Sequence, residues 1–235
     1  MQRRIFRIIQ HRIHVGVPLS YNCKQGTEIR SVAENTKRLV VVAPYMDLLY
    51  PGRGLADVLP EALKDAGAKG VVVNHCEKPM SLPQIKATLK RARELDMFVF
   101  ACADSLEEAR AIACLGPEII NPEPTELIGS GNICSEDYIR QSTQQIHQIN
   151  PHILVEQAAG ITTEEQVFQM IRTGAQGVGV ASGIAAAADP CAIAKKMIRA
   201  VRLAQEAEGG TKYENLSRNH PASIYRDAPI LSSHH

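Results

Sequence analysis

Residues 70–103, GVVVNHCEKPMSLPQIKATLKRARELDMFVFACA, carry the reading that decides the fold class. Gly70 to Asn74 is a short β-branched run of the kind found in strands buried on both faces, and Phe98 to Ala101 is a second. Between them Leu82, Ile85, Leu89, Ala92 and Leu95 recur at helical spacing, so Leu82 to Leu95 reads as an amphipathic helix. An apolar strand, a helix and another apolar strand make one crossover of a parallel sheet.

The same alternation continues on both sides. Downstream, the pattern predicts a helix from Leu106 to Cys114 capped by Ser105, a strand at Ile119-Ile120 and a helix from Glu136 to Gln148. A strand at Ile153 to Val155 follows, then a helix from Thr163 to Thr173 stopped by Gly174, a strand over Gly177 to Ala181 and a helix from Pro190 to Gln205. Upstream it predicts strands over Ile13 to Pro18 and Leu39 to Pro44, with helices over Glu28 to Thr36 and Leu59 to Ala66. Seven strands in units of roughly 20–30 residues describe a (β/α) barrel one strand short, or an open doubly wound sheet. The expected division is an N-terminal arm over 1–11, a barrel domain over 12–207 and a flexible polar tail over 208–235.

Composition narrows the function. With 26 Lys and Arg against 25 Asp and Glu, the net charge is +1, and there is no basic run or Trp to support nucleic-acid binding. No stretch is apolar for long enough to read as a membrane span. Six cysteines without a Cys-x-x-Cys pair point to reduced thiols in the cytoplasm, not to disulfides or a metal site.

The chemistry-bearing residues fall just past strand C-termini, the functional face of such folds. Glu123 follows Ile119-Ile120, where a carboxylate is half desolvated and becomes a better base near neutrality. Pro124 to Gly131 combines a stiff start, an apolar middle and a small-residue end at Gly129-Ser130-Gly131, which describes a closing lid. His75 leaves the strand at 70–74 beside a helix start, where it can act as a neutral electrophile. Ala159-Gly160-Ile161 and Val180-Ala181-Ser182-Gly183 are small-residue turns in successive units, able to present backbone N–H groups to a phosphate. No Walker or G-x-G-x-x-G pattern is present, so no nucleotide cofactor is implied. A base, a neutral histidine and a phosphate cradle suit proton abstraction beside a carbonyl in a phosphorylated sugar.

Asn74-His75-Cys76-Glu77-Lys78-Pro79-Met80, Glu123-Pro124-Thr125-Glu126-Leu127-Ile128-Gly129-Ser130-Gly131 and Val180-Ala181-Ser182-Gly183 resemble the triosephosphate isomerase family, in its archaeal-type branch. Leu59 to Ala68 and Gly160-Ile161 are similar too, so the likeness runs over about 39–204. That family is itself the standard example of a Glu base and a neutral His working under a closing loop. The resemblance implies a TIM (β/α)8 barrel, incomplete on its N-terminal side. It implies interconversion of dihydroxyacetone phosphate and glyceraldehyde 3-phosphate with no cofactor and no metal, in a cytoplasmic homo-oligomer, dimer or tetramer. On it, Glu123 is the base, His75 the electrophile, and Gly129, Gly160, Ser182 and Gly183 the phosphate site.

The family also carries Asn-x-Lys at the end of its first strand, with the lysine holding substrate charge, and Asn22-Cys23-Lys24 has those letters. Two registers are open. In the favoured one, Ile13 to Pro18 is the family's second strand, the first is missing and 22–24 lies in a loop. In the other, Asn22 and Lys24 are the motif and a later unit was lost. Further departures are Pro79 for Arg, Ala158 for a phosphate-loop Gly, Cys76 for Ser, and a loop at 51–55 without the His-Thr-Gly of the subunit contact. The rival functions are a non-catalytic sugar-phosphate binder, an isomerase of another aldose or ketose phosphate, and another phosphate-binding barrel such as a lyase or epimerase.

Overall fold

A computed structural model describes residues 19–22, 28–36, 39–128 and 130–207. Its seven strands are β1 (Leu19–Asn22), β2 (Leu39–Ala43), β3 (Gly70–Val73), β4 (Phe98–Ala103), β5 (Ile119–Pro122), β6 (Leu154–Gln157) and β7 (Gly177–Val178). All neighbours pair in parallel and in chain order, β1 to β7, as a (β/α) barrel requires. Among the described residues the sheet has seven strands, with no pairing of β7 back to β1. The fold is an incomplete TIM barrel.

The helices are α1 (Ile29–Glu34), α2 (Pro60–Asp65), α3 (Leu82–Glu94), α4 (Leu106–Ala113), α5 (Glu136–Ile149), α6 (Glu164–Thr173), the short α7 (Ser182–Ala185) and α8 (Pro190–Glu206). Local chemistry sets their starts. Ser105 Oγ accepts the Glu108 N–H, Ser135 Oγ that of Tyr138, and Asp189 those of Cys191 and Ala192. Thr163 and Gln166 cap α6 reciprocally, and Gly174 at φ +122° ends it.

Strand alternation sorts the core into layers. Val41, Ala43, Val71, Val73, Val99, Ala101, Ile120 and Val155 point outward and pack with Ile85, Leu89 and Ile112 of the helices. Val42, Val72, Phe98, Phe100, Cys102 and Ile119 point inward and pack together with Val40 and Leu154. At Gly70 a Cβ would lie 2.6 Å from the Phe98 ring, so the interior tolerates that phenyl only beside a glycine. A further cluster, including Val167, Met170 and Ile171 of α6 with Met197, Ala200 and Ala204 of α8, closes the C-terminal units.

The connection from β2 to α2 is held by Arg91 of α3. Its buried guanidinium pairs with Glu61 and Glu94, donates from Nε to the Leu49 carbonyl at 3.1 Å and stacks 4.0 Å from the Tyr50 ring centroid.

Several strand expectations change, and β4 and β5 each run two residues past their predicted ends, to Ala103 and Pro122. The first strand is Leu19–Asn22, paired over its whole length with Leu39–Val42, so Asn22 ends a strand and the expectation that it lies in a loop is corrected. Ile13 to Pro18, the arm over 1–11 and the tail over 208–235 lie outside the described residues. β6 runs on to Gln157, past the predicted end at Val155, because Glu156 and Gln157 continue the pleat despite their polarity. β7 ends at Val178, short of Ala181.

Candidate active site

Glu123 stands one residue beyond β5, and its N–H donates to the Ala103 carbonyl at 2.8 Å, which fixes the backbone against β4. Asn121, two residues earlier, is inward-facing and only 3% exposed, and its Nδ2 donates to Glu123 Oε2 at 3.0 Å. The half-buried Glu123 carboxyl is pushed above the ordinary glutamate range by desolvation. The His75 imidazole and the Asn121 donor pull it back without cancelling that rise. The upward direction is the one read from the sequence.

His75 follows β3 through Asn74, whose φ of +58° turns the chain out of the sheet. The Asn74 side chain secures that turn: Nδ2 donates to the Cys102 carbonyl and to Glu108 Oε1, each at 3.0 Å, and Oδ1 accepts the Met80 N–H at 2.8 Å. His75 Nδ1 accepts the Glu77 N–H at 3.2 Å. A neutral ring in that position carries its proton on Nε2, free to meet a substrate oxygen. Glu123 and His75 therefore come from different strands and share one electrostatic field. Asn74, Cys76, Cys102, Glu123, Thr125 and Ile128 line a cleft between these strand exits and the segment that follows Glu123.

The two glycine turns meet each other. Gly160 has φ +68°, and a Cβ there would sit 1.9 Å from the Asn132 carbonyl oxygen, so the segment after the lid lies directly on it. Gly183 in α7 approaches the Ile161 carbonyl so closely that a Cβ would be 2.1 Å away. Backbone thus packs on backbone at both positions, and Ser182 opens α7 beside them with its side chain exposed. The segment after Glu123, read from the sequence as a lid, contains a 3-10 turn over Thr125–Leu127, where the Leu127 N–H donates to the Pro124 carbonyl at 3.0 Å. Asn22 closes β1, at the same end of the sheet as Glu123 and His75. Lys24 and Gly129 lie outside the described residues.

Two interior polar residues escaped the sequence reading. Asn121 holds Glu123, and Glu156 on β6 is a half-buried carboxyl in the barrel interior. Its side chain lies against β7 and the residue after it, where a Cβ at Gly177 or Gly179 would meet it within 3.6 Å. Burial first, and then the Glu123 charge, push Glu156 up to about 8. Period-two alternation carried one step past the apolar runs would have placed both residues inside.

Residues 20–197 match the family model described as triosephosphate isomerase. The chain is 37% identical to the triosephosphate isomerase of Methanobacterium bryantii over 169 residues, 71% of this chain and 74% of that protein. It is 36% identical to the Methanothermus fervidus protein of that name over 168 residues, covering 70% and 75% of the two chains. With the Sulfurisphaera tokodaii protein of that name the identity is 38% over 160 residues, covering 67% and 70%. The family match begins inside β1, which agrees with the structure in making Leu19–Asn22 part of the shared barrel.

Proposed function

The chain belongs to the triosephosphate isomerase family, and from that premise we propose that it interconverts dihydroxyacetone phosphate and glyceraldehyde 3-phosphate with Glu123 as base and His75 as electrophile. The observation that carries the assignment is the Glu123–His75 pair: a desolvated, tethered carboxylate in the field of an imidazole whose Nδ1 is already occupied by the Glu77 N–H.

The reaction follows from that geometry. Glu123 removes a proton from C1 of the ketose as His75 passes its Nε2 proton to the C2 carbonyl oxygen, giving an enediol and leaving Nε2 able to accept a proton. The acid form of Glu123 then returns the proton to C2, and the C1 hydroxyl proton passes to His75 Nε2 as the aldehyde forms, which restores both side chains. Gly160, Ser182 and Gly183, with Gly129 of the lid, hold the phosphoryl group through backbone N–H groups. Lys24, with Asn22 at the end of β1, balances the substrate's charge. Closure of 124–131 sheds water and protects the enediol from losing phosphate.

This activity places the protein in glycolysis and gluconeogenesis, and in the cytoplasm. In support, no helix among the described residues is long and apolar enough to cross a membrane. A homo-oligomer, dimer or tetramer, is in keeping with the exposed Leu48, Tyr50 and Leu55 on the loop where the family makes its subunit contact.

A coupled assay of the purified chain in both directions tests the proposal. Turnover that survives Glu123→Gln would remove Glu123 from its role. Tight binding of a phosphorylated triose without turnover would favour the non-catalytic binder, a reading to which the seven-stranded sheet gives some support.

A further inference from the structure

Strand register puts Cys102 of β4 opposite Asn121 of β5, and Glu156 of β6 opposite Gly177 of β7. β5 and β6 pair as Ile119 with Leu154 and Ile120 with Val155, and one further step sets Asn121 beside Glu156. Ile119 and Leu154 both face the interior, so residues two further on face it too. Cys102, Asn121, Glu156 and Gly177 therefore form one row across the inside of the sheet.

Within that row Asn121 is incompletely satisfied. Its Nδ2 donates to Glu123 and also reaches the Cys102 thiol. Its Oδ1 is buried and has no donor. An orphaned amide oxygen in a low-dielectric interior is costly, and it leaves the amide free to flip and present oxygen to the Glu123 carboxylate. The group beside it is a carboxyl that cannot ionise easily. Glu156 is faced by Glu123 from the exit of β5 and by the Cys102 thiol from β4, and its side chain lies against Gly177 of β7 and Gly179 just beyond it. No cation among these described groups favours its charged form.

We infer that Glu156, as the neutral acid, donates its hydroxyl proton to Oδ1 of Asn121 and so locks the amide with Nδ2 on Glu123. Glu156 is then a positioning residue, acting on the base through Asn121 and never touching substrate. Burial and the neighbouring Glu123 charge raise its pKa to about 8, which favours the acid form at neutral pH. Above that point an ionised Glu156 opposes the Asn121 oxygen as acceptor against acceptor, and the amide turns. The catalytic consequence, though not the contact itself, rests on Glu123 being the base.

Two experiments on the full chain decide it. The first is a carboxyl carbon-13 NMR titration of Glu156 in the parent and in Asn121→Ala. Removing the acceptor destabilises the acid form, so Glu156 ionises at a pH lower by about half a unit or more; an unchanged or higher midpoint overturns the contact. That readout needs no turnover, so an inactive sample rejects the isomerase assignment and leaves this result standing. The second compares pH profiles of Glu156→Gln and Glu156→Leu. Glutamine keeps an N–H donor and cannot ionise, so its kcat at pH 7 stays within about twofold of the parent and the decline above about pH 8 disappears. Leucine keeps the volume without the donor, and kcat falls about tenfold with KM within about twofold. Equal kcat values in the two variants, or an alkaline decline that persists in Glu156→Gln, overturn the inference.

Discussion

Asn121 Nδ2 donates to Glu123 Oε2 at 3.0 Å, so the carboxylate at the exit of β5 is tethered by the side chain two residues before it on the same strand. Proton abstraction needs a carboxylate that is desolvated enough to be basic and held in one place, and the buried amide supplies the second condition.

Shortening the base breaks that geometry. Glu123→Asp withdraws the carboxylate by one methylene, about 1 Å, and kcat is expected to fall about 100- to 1000-fold with KM changed far less. Steady-state kinetics beside a circular dichroism spectrum check this. A loss below fivefold in a folded sample removes Glu123 from the proton transfer.

The pH profile follows from the signs at Glu123. Desolvation raises its pKa, and the base works only when ionised, so the acid limb of kcat/KM should lie above the ordinary glutamate value of about 4.3. Asn121 lowers that pKa by favouring the charged form, so Asn121→Ala should move the limb further toward neutral pH. A limb that stays put or moves to lower pH contradicts the tether.

Stability should fall with rising pH because of Glu156. Its folded pKa, about 8, lies above the usual glutamate value, so the native state keeps a proton that the unfolded chain releases. The contribution is complete below about pH 4.3 and is lost progressively as pH rises to about 8, at up to about 1.4 kcal/mol per unit. Glu156→Gln removes the dependence, so denaturant midpoints measured from pH 5 to 8 should flatten and the variant should be the more stable at pH 8. An identical slope in parent and variant contradicts the burial of this carboxyl.

Gly160 admits no side chain. A Cβ would fall 1.9 Å from the Asn132 carbonyl at a φ of +68°. Gly160→Ala should therefore push the segment after the lid away, raise KM for the phosphorylated substrate about tenfold or more and cost about 1–3 kcal/mol of stability. Unchanged KM would separate this turn from the phosphate site.

The unit pattern was legible from local chemistry. Continuous apolar runs, helical spacing and caps such as Ser105 act over a few residues, and so the strands from Leu39 onward, the helices between them and the exits bearing His75 and Glu123 could be read directly. The end of β6 could not, because nothing in Glu156-Gln157 declares a strand until Val155 is paired with Ile120.

What the linear order determined by itself was the alternation, the family and the two residues proposed for the chemistry, since each depends on neighbours in the chain. Tertiary structure decided the first strand and the support beneath the base. Leu19–Asn22 is too short and polar to announce itself and becomes a strand by pairing with β2. Asn121 and Glu156 lie 35 positions apart and become neighbours only through the register of β5 and β6. Register is a relation between strands, set by packing in the interior, and no local stretch of sequence contains it.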